Sequence, residues 1–190
     1  MDSIILVRHG QSTLNVQRVI SCDHEGYPLT HVGGGEVEYL SSQLTGIRLS
    51  GILSSPVLRA RQTSEIISRA LQRDYEVDDR IRESGLGKYN NFKITGMPPL
   101  SHEELGMESW ESHIERFLSL IDSRSGRHIL VSHAYPIRAI LSHYLGLGEH
   151  ESLGIEVRNA TASVIDVENR IVLSIGSSII SGRVLEFLRS

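Results

Sequence analysis

Three short apolar segments of this chain each end in a chemically active polar group and pass at once into a helical pattern. Ile4-Ile5-Leu6-Val7 leads to Arg8-His9-Gly10. Gly51-Ile52-Leu53-Ser54 leads through Ser55-Pro56 to Arg59, and His128-Ile129-Leu130-Val131 leads to Ser132-His133-Ala134. Runs of this kind, short, β-branched and uncharged, read as buried strands. Strands alternating with helices call for a mostly parallel sheet covered on both faces, so the fold class expected is a three-layer α/β/α sandwich. In such a sheet all three junctions lie on one edge, at the carboxyl ends of the strands, where α/β proteins bind ligands.

The helices are legible from spacing. Val37, Leu40, Leu44 and Ile47 follow a polar loop at 11–29, with Thr30 placed to cap them and Gly33-Gly34-Gly35 expected to loosen the first turn. Thr63, Ile66, Ile67, Ala70 and Leu71 share a second helical face. Ile114, Phe117, Leu118 and Ile121 share a third, and Ile137, Ile140, Leu141, Tyr144 and Leu145 a fourth. Ala162 to Val167 and Ile171 to Ile175 read as a strand pair around Glu168-Asn169, and Val184 to Leu188 as a short helix whose apolar face offers an interface. Between these, residues 84–108 carry Gly85, Gly87, Gly96, Gly106 and Pro98-Pro99 with no sustained period. A loop of that length is commonly functional. The 190 residues are expected to form one domain, with a small cap at about 84–112.

Charge and cysteine content narrow the partners. A net charge of -4 argues against nucleic acid or an anionic membrane, which favour a basic excess. Cys22 stands alone, so no intramolecular disulfide forms, and Ile4 to Val7 is too short for a signal segment, making the cytoplasm the expected location. Nine histidines include no ligand spacing such as His-Glu-x-x-His, so neither a metal nor another cofactor is expected.

At the shared edge the residue types suit phosphoryl transfer. Guanidinium forks grip a phosphate dianion and remain charged, so Arg8 and Arg59 are its expected clamps. A neutral imidazole is a competent nucleophile, which makes His9 the candidate for a covalent phosphohistidine. Adjacent Arg charge is expected to keep it neutral. His133 joins them from the third junction, and Glu83, just before the irregular stretch, is the expected acid/base for the leaving oxygen. Cysteine-phosphatase chemistry is excluded because the residue six after Cys22 is Pro28, and no Gly-x-x-x-x-Gly-Lys loop exists for ATP.

These motifs, in this order, resemble the histidine phosphatase superfamily, whose other branch is the cofactor-dependent phosphoglycerate mutases. Arg8-His9-Gly10-Gln11-Ser12-Thr13-Leu14-Asn15 is similar to its defining N-terminal motif. Pro28-Leu29-Thr30 with Gly33 resembles the segment that follows, and Ser55-Pro56-Val57-Leu58-Arg59-Ala60-Arg61-Gln62-Thr63 resembles the second motif. Ile81-Arg82-Glu83 falls at the acid/base position, and Val131-Ser132-His133-Ala134 matches the second-histidine motif. The resemblance spans residue 4 to about residue 141 and implies a phosphoglycerate mutase-like fold. It assigns the second clamp to Arg59 and not Arg61, places Asn15 in the phosphate pocket, and adds amide donors near Ser12 and Ala134.

It further implies a metal-independent phosphomonoester hydrolase acting on a small phosphorylated metabolite. A mutase-like phosphotransferase and a non-catalytic phospho-ligand binding module are the alternatives. Two departures stand out. Where many relatives carry an aromatic-Glu-Gly step, this chain has Gly87-Lys88-Tyr89-Asn90-Asn91, and the mutases' Glu-Arg-x-Tyr-Gly segment is absent, which favours a phosphatase. Lys88 and Lys93, the only lysines, read as exposed side chains, with a grip on an acidic part of the substrate as the sharper reading.

Overall fold

A computed structural model describes residues 1–96 and 100–190, so the Pro98-Pro99 part of the irregular stretch lies outside the described residues. The apolar runs form β1 (Ser3–Arg8), β3 (Gly51–Ser54) and β6 (Arg127–Ser132). They occupy the centre of a six-stranded sheet of order β4-β3-β6-β1-β7-β8, where β4 is Tyr75–Val77, β7 is Ala162–Asp166 and β8 is Ile171–Ser177. The first four strands are mutually parallel, while β7 and β8 run antiparallel. The sandwich is thus mostly parallel, as expected. Register aligns the three junctions: Arg8 pairs with Ser132, and Ser54 with Val131.

Strand alternation sorts the side chains into two layers. Ile5 and Val7 point to one face, where they meet α2 (His31–Gln43), α3 (Leu58–Leu71) and α7 (Gly182–Arg189) through Val37, Leu40, Ile67 and Leu188. Ile4 and Leu6 point to the other face, against α4 (Trp110–Asp122) and α5 (Ala134–Leu145) through Phe117, Leu120, Ile137 and Ile140. Each of these side chains is buried, and each such burial contributes roughly 1.5–3 kcal/mol. The C-terminal segment is helical, but Val184 and Leu188 face this core. Its apolar face closes the molecule and is not offered as an interface.

Gly33 of α2 has a different purpose from the one its sequence suggests. Thr30 caps the helix, its hydroxyl accepting from the Gly33 amide, so the first turn is well formed. A Cβ on Gly33 would stand 2.0 Å from the Gln11 carbonyl oxygen, and one on Gly10 would stand 2.6 Å from that of Gly33. The pair allows the backbone after β1 to lie directly on the start of α2, which sets His9 in place.

The smallest elements have no sequence signal: α1 (Thr13–Gln17), β2 (Val19–Ile20), β5 (Phe92–Lys93), α6 (Glu149–Ser152) and the edge strand β4. Two of them organise the irregular stretch. β5 pairs antiparallel with β2, and Leu86, Leu105 and Met107 form a small cluster with Ile20, Cys22 and Tyr89. This segment packs beside the carboxyl edge of the sheet.

Candidate active site

The strand register brings His9, Arg59 and His133 together, all three buried. His9 Nδ1 lies 2.8 Å from the Gly10 carbonyl oxygen. A carbonyl can only accept, so Nδ1 carries the proton and Nε2 the lone pair. Arg59 Nε donates to that Nε2 at 3.1 Å. Burial, then the charges of Arg59 and Arg8, hold the His9 pKa well below its usual value, so the ring is neutral. The expected Arg effect is present, but burial leads it.

His133 stands beside it, the two ring centroids 5.2 Å apart. Its Nε2 is 2.8 Å from Ser55 Oγ, and its Nδ1 is 3.4 Å from Glu83 Oε2, outside hydrogen-bond geometry. Burial, then Arg59, keeps this imidazole neutral too. Arg59 is wholly enclosed (0% exposed); its Nη2 donates to the Ser21 carbonyl at 2.9 Å and to Glu83 Oε2 at 3.3 Å. Arg61 turns away to pair with Glu25 at 2.7 Å.

His9 and Glu83 border a cavity of about 390 Å³ that Arg8, Asn15 and Ala134 also line, while Arg59 and His133, fully enclosed, touch these two and do not line it themselves. Arg8 Nη1 donates to the Val157 carbonyl at 2.7 Å, and burial lowers its pKa to about 10. Ala134 opens α5, so its amide belongs to the first-turn N–H groups that have no acceptor within the helix. Ser12 does not line the cavity. Its amide and hydroxyl both donate to Asn15 Oδ1, at 2.9 and 3.0 Å, so it holds Asn15 and leaves the Asn15 Nδ2 side for the cavity.

Around the cavity, buried donors lack acceptors. Arg8 Nε, Arg59 Nη1 and His133 Nδ1 have none among the described residues. Buried polar groups are nearly always paired, and three such donors at one site call for an oxyanion.

Several residues here carry no signal that sequence reasoning used. Tyr135 and Arg138 of α5 line the cavity, Arg138 one helical turn beyond Ala134, so an i,i+4 reading from Ala134 would have found it. His102, from the irregular stretch, stacks on Tyr135 with centroids 3.5 Å apart. Behind Glu83, the Glu108 carboxylate accepts from the Gly85 amide (2.9 Å), Arg116 Nε (2.8 Å) and Ser112 Oγ (2.8 Å). The departure at Asn90-Asn91 also gains a reason. Their amide groups donate to the Asp23 carboxylate at 2.7 and 2.8 Å, fastening the 21–23 backbone whose Ser21 carbonyl holds Arg59. Lys88 and Lys93 are exposed and line no part of the cavity.

Comparison with known proteins follows the same residues. Residues 4–172 match the model of the histidine phosphatase superfamily (branch 1). The chain belongs to the histidine phosphatase superfamily. Within the superfamily, it is 36% identical to a 2,3-bisphosphoglycerate-dependent phosphoglycerate mutase of Thermoplasma acidophilum, covering 99% of this chain and 98% of that protein. Among solved structures, a phosphoserine phosphatase of Entamoeba histolytica in complex with 3-phosphoglyceric acid superposes with a TM-score of 0.78 at 19% identity, covering 93% of this chain and 98% of that one. A mycobacterial glucosyl-3-phosphoglycerate phosphatase gives a TM-score of 0.73 at 20% identity, over 87% and 92% of the two chains. These likenesses establish the shared superfamily fold. Among the described residues, no helix is long and apolar enough to cross a membrane, and no group of three or more His, Cys, Asp or Glu side chains is placed to hold a metal ion.

Proposed function

We propose that the protein hydrolyses a small phosphomonoester through a phosphohistidine on His9. The observation that carries this is the convergence of three unpartnered buried donors, from Arg8, Arg59 and His133, around a neutral His9 with its lone pair on Nε2. In the first step His9 Nε2 attacks phosphorus while the bond to the alcohol oxygen breaks, and Glu83 gives that oxygen a proton. Arg8, Arg59 and His133 offset the charge on the phosphoryl oxygens, joined by Asn15 and the Ala134 amide. In the second step Glu83 takes a proton from water, the water oxygen bonds to phosphorus, and the P–N bond breaks to restore His9. The mouth supports access of water, since Ile94 on its rim is 51% exposed.

This reading assigns residues 84–112 as a cap on a single domain and needs neither metal nor cofactor. Mutase chemistry is the second reading, favoured by the full-length relative that bears that name. Missing the Glu-Arg-x-Tyr-Gly segment therefore does not decide the matter. The test is phosphate release from an aryl phosphate in the presence of EDTA, with acid-quench detection of phosphoenzyme. Wild type should turn over, and His9→Ala should lose both signals by about 10⁴-fold or more. Phosphoenzyme without net phosphate release would favour the mutase, and turnover retained in His9→Ala would overturn the phosphohistidine route.

A further inference from the structure

The loop between α6 and β7 lies beyond the last of the sequence motifs, yet three residues at the cavity lean on it. The Val157 carbonyl accepts from Arg8 Nη1 at 2.7 Å. The Ala160 amide donates to the carbonyls of Arg8 and His9, at 3.1 and 3.2 Å. Ala160 makes these contacts at φ +47°, in the left-handed region that a residue with a side chain rarely adopts. Between them, Asn159 Nδ2 donates to the His9 carbonyl at 3.0 Å and to Asn15 Oδ1 at 3.2 Å.

The orientation of each amide follows from its partners. A backbone carbonyl only accepts, so the His9 oxygen fixes the Asn159 side chain with Nδ2 towards it. Asn15 Oδ1 also accepts from the Ser12 amide and hydroxyl, at 2.9 and 3.0 Å. Those two donors come from one residue and pin the oxygen, but a planar amide pinned at its oxygen still turns about it. The donor from Asn159 reaches the same oxygen from another element, and this fixes the direction of Asn15 Nδ2. Asn15 lines the cavity and Asn159 does not, so Asn159 reaches a bound group only through its neighbour. The His9 carbonyl keeps the Ala160 amide when Asn159 is removed, which leaves Asn15 as the side chain that depends on it.

We propose that Asn159 is a positioning residue for phosphoryl transfer, holding the Asn15 amide with Nδ2 turned to the phosphoryl oxygens. The assignment rests on the phosphohistidine reading above and extends the site by a residue from the α6–β7 loop.

The test is calorimetric titration with orthovanadate, a phosphate mimic, of wild type, Asn159→Asp and Asn159→Ala, and of both substitutions repeated on Asn15→Ala. The aspartate keeps the shape of the side chain but can only accept, so it draws Asn15 Nδ2 away from the cavity. Asn159→Asp should raise Kd by roughly 10-fold, the low end of what a hydrogen bond to a charged group is worth, and Asn159→Ala by less. On Asn15→Ala, either substitution should change Kd by less than about threefold, since the group it acts through is gone. Equal fold losses in both backgrounds would show that Asn159 merely supports the loop and would overturn its role, as would wild-type affinity in both single variants. The alanine variant carries the comparison if the aspartate variant does not fold. No binding of orthovanadate by wild type strikes instead at the phosphoryl-transfer reading, and the role of Asn159 falls with it.

Discussion

The two walls of the cavity are built by different means. On the sheet side, His9, Arg59 and His133 sit at or just beyond strand ends, and backbone groups orient two of them: the Gly10 carbonyl for His9 and the Ser21 carbonyl for Arg59. On the other side, the described residues of 84–108 form short turns and the two-residue strand β5, held by side chains, with Glu108 fastening Gly85 and Asp23 fastening Asn90 and Asn91. A strand end inherits its position from a ladder buried on both faces, whereas a loop wall depends on a few polar pairs. In the proposed reaction, the groups that meet the phosphoryl group are on the first wall. The second wall is free to vary with the substrate.

That contrast can be broken most sharply at Arg59. Arg59→Lys keeps the charge but loses the planar fork that reaches His9, Ser21 and Glu83 together, and kcat/KM should fall by roughly 100- to 1,000-fold. Near-wild-type kinetics would show that this wall tolerates imprecision. Glu83→Gln comes next. Hydrolysis of an alkyl phosphate, whose leaving oxygen needs a proton, should slow by about 100-fold, and that of p-nitrophenyl phosphate much less. Equal losses on both esters would assign Glu83 to structure.

On the second wall the expected effect is on stability. Burial by itself would raise the Glu108 carboxyl, but the Gly85 amide, His113 and Arg116 outweigh it and hold the group at about 2 against an ordinary 4.5. His113 is itself lowered to about 4 by burial, so near neutrality it carries no charge and the amide and Arg116 do the holding. A depressed carboxyl stabilises the fold fully above pH 4.5 and loses that contribution as pH falls towards 2. Thermal melts of Glu108→Gln should therefore show a deficit at neutral pH that shrinks on acidification. A deficit independent of pH would deny the linkage. The smallest effect is expected for Lys88→Ala combined with Lys93→Ala, less than about twofold in KM for an acidic ester, since exposed charges are screened.

Much of the molecule was legible before any coordinates. β1, β3, β6 and the helices α3, α4 and α5 follow from apolar runs and spacing, because a parallel sheet needs strands buried on both faces and amphipathic helices to cover it. The edge strand β4 escaped because the alternation of Tyr-Glu-Val is only three residues long, and α1, β2 and β5 span no more than about one and a half periods of any pattern. Gly33 was visible, but its reason was not, since the close approach to Gln11 involves a segment about twenty residues away.

The sequence by itself determined which side chains gather at the carboxyl edge of the sheet: Arg8, His9, Arg59 and His133 are tied to strand ends and helix starts, and local pattern suffices to place such positions on one edge. Only the tertiary structure decided the rest. It turned Ser12 from a donor to the cavity into a support for Asn15, made Asn90 and Asn91 a clasp for Asp23, and brought Asn159 against Asn15. The physical reason is that charge balance and hydrogen-bond satisfaction are properties of neighbours in space, and nothing in an asparagine far along the chain says which side chain will be waiting beside it.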